Sequence, residues 1–156
     1  MNKTEILTRL ADAKVAHKEW LRKAELLVDG YDIKIDAIPV SETECDFGVW
    51  FYHDCKEMKH CVLIPSETIA ALESIHTKLH DTYAKIYQIF FASYEISLLT
   101  KLFGKQKNLD PQKEEQAQTH LNELEKLSED LLDELTKIEI KLKSLSNEEL
   151  ERIALS

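Results

Sequence analysis

The chain has 156 residues, 44% hydrophobic and 31% charged, which is enough for one domain around a single core. Its formal charge of −9 and the lack of any Lys/Arg cluster exclude a basic surface for nucleic acid or an anionic membrane. Only three Gly and three Pro occur, so long uninterrupted helices are expected rather than a fold rich in strands and turns.

The first predicted element is a helix over residues 4–29. Ile6, Leu10, Ala13, His17, Trp20/Leu21, Ala24 and Leu27 recur at three- and four-residue spacing, and Gly30 offers a stop. His17 therefore sits on the apolar stripe and points inward. Met1 to Glu5 lacks a basic region followed by a hydrophobic core, so no signal peptide is expected and the chain is assigned to the cytoplasm. Residues 31–44, with Pro39 and a polar run Ser41-Glu42-Thr43-Glu44, predict a loop. Cys45 to Tyr52 is a dense aromatic patch, expected as a short helix lying on the core, and residues 53–64 are expected to be irregular.

Ser66, after Pro65, is an N-cap for a long helix that can run to Phe103, where Gly104 ends it. At 1.5 Å per residue this helix would span roughly 55 Å. Its inward stripe reads Ile69, Leu72, His76, Leu79/His80, Tyr83, Tyr87, Phe90, Tyr94 and Leu98. The apolar stretch Ile86 to Leu102 is broken by Gln88, Glu95 and Lys101, so it does not predict a membrane span. Asp110-Pro111 is an N-cap followed by proline at the first helical position. The helix it opens keeps a heptad seam at Leu121, Leu124, Ser128, Leu131, Leu135, Ile138, Leu142 and Leu145, widened by Leu127 and Leu132. Ser146-Asn147-Glu148-Glu149 is a capping box that reopens a helix. The expected fold is all-α, an antiparallel four-helix bundle with two long helices. Their uncovered faces predict a second subunit and a symmetric homodimer.

The chemistry rests on inward-facing histidines. His76 and His80 stand four residues apart, which stacks both imidazoles on one helix face within reach of one ion. That spacing alone is a weak signal, equally consistent with two hydrogen-bonded residues at a core edge. It gains weight because His17 faces inward from another helix, and burying three imidazoles without partners is unfavourable. A metal removes that penalty, and Cys45 supplies a fourth donor. Three imidazoles and one thiolate form a closed tetrahedral set typical of zinc. With four protein donors no position is left for a catalytic water, so no catalytic residue is assigned. The odd number of cysteines, Cys45, Cys55 and Cys61, also favours a metal or redox role over a disulfide framework.

His17, then Cys45-x-Phe47-Gly48-x-Trp50-Phe51-Tyr52, then His76-x3-His80, resembles the chemoreceptor zinc-binding (CZB) domain over roughly residues 10 to 100. The resemblance implies a four-helix bundle, often dimeric, with one Zn2+ per subunit held by His17, Cys45, His76 and His80. It implies a sensory role toward zinc or toward oxidants such as hypochlorous acid, and a host that is a soluble chemoreceptor or a diguanylate cyclase. Glu149 to Ser156 resembles the short linker that enters a GGDEF cyclase domain, so residues 1–145 are expected to form the bundle and 146–156 to begin a signalling linker. On that reading the partners are a second copy and a downstream cyclase domain or other signalling partner, which would synthesise c-di-GMP. A free-standing module, and a purely structural coiled coil with coincidental histidines, stay open as alternatives.

The remaining candidates carry blander expectations. His53, Cys55, His60 and Cys61 match no zinc spacing, and Cys61 before Val62-Leu63-Ile64 is expected to be a buried hydrophobe. His120 is expected to face solvent. Glu73-x-x-His76 occurs once, whereas carboxylate-bridged di-iron bundles repeat that motif. Phe47 and Trp50 are expected to be core residues that hold the Cys45 segment, and the Tyr/Phe stripe from Tyr83 to Tyr94 is expected in bundle or dimer packing. Asp32 and Asp36 are both open as hydrogen-bond acceptors for a ligand imidazole.

Overall fold

A computed structural model describes residues 3–55, 64–91 and 109–154. Helices α1 (Lys3–Val28), α2 (Asp46–Val49), α3 (Ser66–Phe91), α4 (Pro111–Ser144) and α5 (Asn147–Ala154) follow in order, with a π-helical segment, Trp50–Cys55, continuing α2. The described residues contain no strand. No helix among them is long and apolar enough to cross a membrane.

Local chemistry sets the helix ends. Gly30 adopts φ 91°, a conformation open to glycine, and this turns the chain out of α1. Its N–H donates to the Leu27 carbonyl at 3.2 Å and that of Tyr31 to the Leu26 carbonyl at 3.0 Å, which satisfies the last turn. Asp110 caps α4 by accepting from the Lys113 N–H at 2.9 Å, with Pro111 behind it. At α5 the capping box closes in both directions: the Glu149 N–H donates to Ser146 Oγ at 3.2 Å, and the Ser146 N–H donates to Glu149 Oε2 at 2.7 Å.

The expected irregular segment after residue 52 is helical through Cys55, where a π-type backbone extends α2. The proposed continuation of α3 to Phe103 lies outside the described residues.

The buried face of α4 comprises Ala117, Leu121, Leu124, Ser128, Leu131, Leu135, Ile138 and Leu142, which is the expected seam with one further alanine and without Leu145, the half-buried C-cap in extended backbone. Fully enclosing each such leucine contributes roughly 1.5–3 kcal/mol. This seam meets both α3 and α1. Lys14 of α1 reaches Thr136 and Glu139 of α4, while Lys3 reaches the carbonyls of Lys143 and Leu145. Early α1 thus lies beside late α4, so these two helices run antiparallel. The short α2 packs on α1 and inserts Phe47, 1% exposed, making it the fourth and smallest member of the bundle.

Candidate metal centre

Three helices, α1, α2 and α3, and the loop at Asp36–Pro39 border one cavity of about 500 Å³, and His17, Cys45, His76 and His80 all line it. His17 comes from the buried face of α1, in register with Ala13 and Trp20. His76 and His80 come from α3, one turn apart, with ring centroids 4.7 Å apart. Cys45 is the N-cap of α2, in extended backbone, and its sulfur accepts the Gly48 N–H at 3.1 Å. Gly48 is required there because a Cβ at that position would overlap the Glu42 carbonyl oxygen and press on the Cys45 sulfur. The Phe47-Gly48 pair therefore has two physical reasons. Phe47 packs edge-on against His76 at 4.7 Å and near His17 at 6.2 Å, and Gly48 lets the preceding loop close over the sulfur.

Cys45, His76 and His80 each place a ligand atom within 4.8 Å of the other two, and all three residues are buried. Nε2 of His76 lies 3.2 Å from the Cys45 sulfur. Around zinc, with bonds of about 2.0–2.3 Å, adjacent donors sit roughly 3.3–3.6 Å apart, so the set is close to closed. Nδ1 of His80 donates to the Val40 carbonyl at 2.7 Å, which leaves Nε2 as the nitrogen available to an ion. Nδ1 of His76 is buried with no hydrogen-bond partner, a group for which the apolar surroundings offer no compensation. His17 borders the same cavity but stands outside the three-residue cluster. Its Nε2 is instead 2.8 Å from the hydroxyl of Ser128 on α4.

The electrostatics of the cluster suit a cation. Burial, reinforced by the nearby His80, drives His17 down to about 4, and burial with His80 and His17 drives His76 down to about 3. His80 is also lowered by burial, although the Val40 carbonyl and two carboxylates oppose this. All three rings are thus neutral near pH 7, the protonation state that binds metal. Burial pushes the Cys45 thiol up to about 11 despite the Gly48 N–H, so without a cation it stays protonated at neutral pH. Asp12, Asp36 and Asp46 line the same cavity, with Lys23 as a counter-charge, and bias it toward cations.

The acceptor that the structure gives a candidate imidazole is thus the Val40 carbonyl for His80, with the Ser128 hydroxyl beside His17. Asp32 is exposed, and Asp36 lines the cavity without such a bond. Neither partner is among the acceptors expected from the sequence, Asp32 and Asp36. A backbone carbonyl leaves no mark in sequence, but a serine in a seam otherwise filled by Leu and Ile is a legible anomaly. Phe47 and Trp50 pack as expected, their rings 5.6 Å apart. His53 is exposed, while His60, Cys61 and the Cys55 side chain fall outside the described residues. His120, expected to face solvent, is half-buried with Nδ1 enclosed, because it neighbours Leu121 at the edge of the seam.

Among the described residues, a helical bundle with a buried Cys/His cluster beside packed aromatic rings fits a small metal-binding domain. The family model described as the chemoreceptor zinc-binding domain, CZB, matches residues 17–87. The match begins at His17 and includes Cys45, His76 and His80. No curated protein and no solved structure matches the chain. Zinc is accordingly the cofactor, a choice with which one sulfur and several imidazole donors agree.

Proposed function

We propose that this chain is a zinc-dependent sensory domain in which His17, Cys45, His76 and His80 hold one ion. The observation that carries this reading is the convergence of Cys45, His76 and His80 to within 4.8 Å in a buried, aromatic-lined site. Bound zinc would hold Cys45 as a thiolate and leave no coordination position for substrate water. The protein side of the mechanism belongs to the residues themselves. Val40 fixes the tautomer of His80, Phe47 seats His76, and Gly48 allows Glu42 to close over the sulfur. Because the donors come from α1, the α2 cap and α3, release of any one of them changes how these elements pack together, and α1 and α3 both rest on α4.

The signal is zinc itself or an oxidant that attacks the Cys45 sulfur. Hypochlorous acid belongs to the second class. The output is control of a downstream partner in the cytoplasm, with diguanylate cyclase activity the leading assignment. This rests on the resemblance of residues 149–156 to a cyclase-entry linker and on the capped α5 that opens just before it. Residues 1–145 then form the sensing bundle, a homodimer in this reading, and 146–156 carry the signal onward.

Metal analysis of the purified chain tests the binding reading: about one zinc per chain is expected, lost in His76→Ala and Cys45→Ser. A chain that purifies metal-free and takes up none would overturn it. The cyclase assignment predicts that zinc removal changes c-di-GMP synthesis by the full-length protein. Unchanged synthesis would remove that assignment and leave the binding reading intact.

A further inference from the structure

The structure assigns Ser128 of α4 a specific part in the site: it is the partner that His17 surrenders when it becomes the fourth donor. The inference rests on the zinc-binding reading above and adds the route by which occupancy reaches α4.

Ser128 is 1% exposed, and among the described residues it is the one buried polar side chain on α4. Its seam neighbours Leu124 and Leu131 are fully enclosed, so a serine between them gives up apolar packing. What it provides is a hydroxyl 2.8 Å from Nε2 of His17, a contact that spans 111 residues of sequence. Neither nitrogen of His17 falls within the cluster formed by Cys45, His76 and His80, although all four residues line one cavity. The ring is held to one side, against α4.

Two arrangements can bring His17 to an ion. In one, Nε2 keeps Ser128 while Nδ1 binds, and Ser128 orients the ligand from behind. In the other, the ring leaves Ser128 and swings toward the cluster. The geometry points to the second, because neither nitrogen of the ring, as Ser128 holds it, lies within 4.8 Å of all three other donors. Ser128 and the ion then compete for His17, and each occupancy change leaves a buried hydroxyl on α4 with or without its partner. A buried polar group does not stay unpaired without cost, so α4 must adjust locally. The adjustment falls on the helix that also carries the Lys14–Glu139 contact and that leads into α5.

Competition titrations against a chelator, using zinc alone as the probe, separate the two arrangements. If Ser128 competes, Ser128→Ala should bind zinc about fivefold more tightly, since one net hydrogen bond no longer holds His17 back. If Ser128 orients the ligand, the same substitution should weaken binding about 10–100-fold, which would overturn the proposal. Equal affinity would overturn it as well. In a His17→Ala background the serine substitution should have no effect on affinity, and a persistent effect would show that Ser128 acts through something else. A variant-free measurement stands beside these. In the unsubstituted chain, zinc should shift the amide resonances around Ser128, and an unmoved α4 would contradict the exchange. If the unsubstituted chain binds no zinc at all, the zinc reading fails together with this one. If it binds but Ser128→Ala behaves as wild type, only the exchange fails.

Discussion

Gly48 and the histidines show how single atoms decide whether this cluster can exist. At Gly48 the Glu42 carbonyl occupies the space a Cβ would need, so Gly48→Ala must push the loop away from the Cys45 sulfur. An overpacking penalty on the order of 3 kcal/mol is expected, read as a lowered urea midpoint, together with weaker zinc binding. Wild-type stability in that variant would mean that the loop does not close as described. Burial of the imidazoles gives a second residue-scale expectation, for the metal-free chain. His17 and His76 are held at about 4 and about 3, below the ordinary histidine value, so between roughly pH 6.5 and those values the unfolded chain binds more protons. Stability must therefore fall as the pH drops through that window, by on the order of 2 kcal/mol for each ring at about pH 5. Cys45 behaves oppositely, since its thiol is pushed up to about 11. Above the ordinary thiol range the unfolded chain loses its proton first, and stability falls as the pH rises. Urea midpoints in chelator across pH should peak near neutrality, and a midpoint independent of pH between 7 and 5 would contradict the buried neutral histidines.

Among the elements, α4 carries most of the packing and joins the others. Leu131→Ala, which opens a void where α4 meets its neighbours, should lower unfolding free energy by about 2–5 kcal/mol. Lys14→Ala removes a partly exposed ion pair to Glu139 and should cost under about 1 kcal/mol. Equal effects would mean that the seam is not the principal contact. The helix ends were readable in sequence because their signals are local: Gly30, Asp110-Pro111 and the Ser146 capping box each act within a few residues. The seam was readable because its period repeats over many turns. The π-helical segment was not, since six residues leave no periodicity to detect. The Ser128–His17 and His80–Val40 contacts were also hidden, because each joins positions far apart in sequence and only the packed helices bring them together. The four candidate donors were all named from sequence. That His17 rests against α4, outside the cluster of three, was not legible there.

For the molecule as a whole, the proposed four-donor site would make the ion a link between α1, the α2 cap and α3 that the apolar core alone does not supply. Zinc present at about a thousand times its dissociation constant should stabilise the fold by roughly 4 kcal/mol, with a matching rise in thermal midpoint. Chelation should reverse that rise, whereas a structural coiled coil with coincidental histidines would melt alike with and without zinc. The environment of the ion itself is the most direct check. X-ray absorption at the zinc edge of the loaded chain should show one sulfur at about 2.3 Å and three nitrogens at about 2.0 Å, with no water oxygen. A zinc shell without sulfur, or one completed by water in place of His17, would contradict the four-donor site.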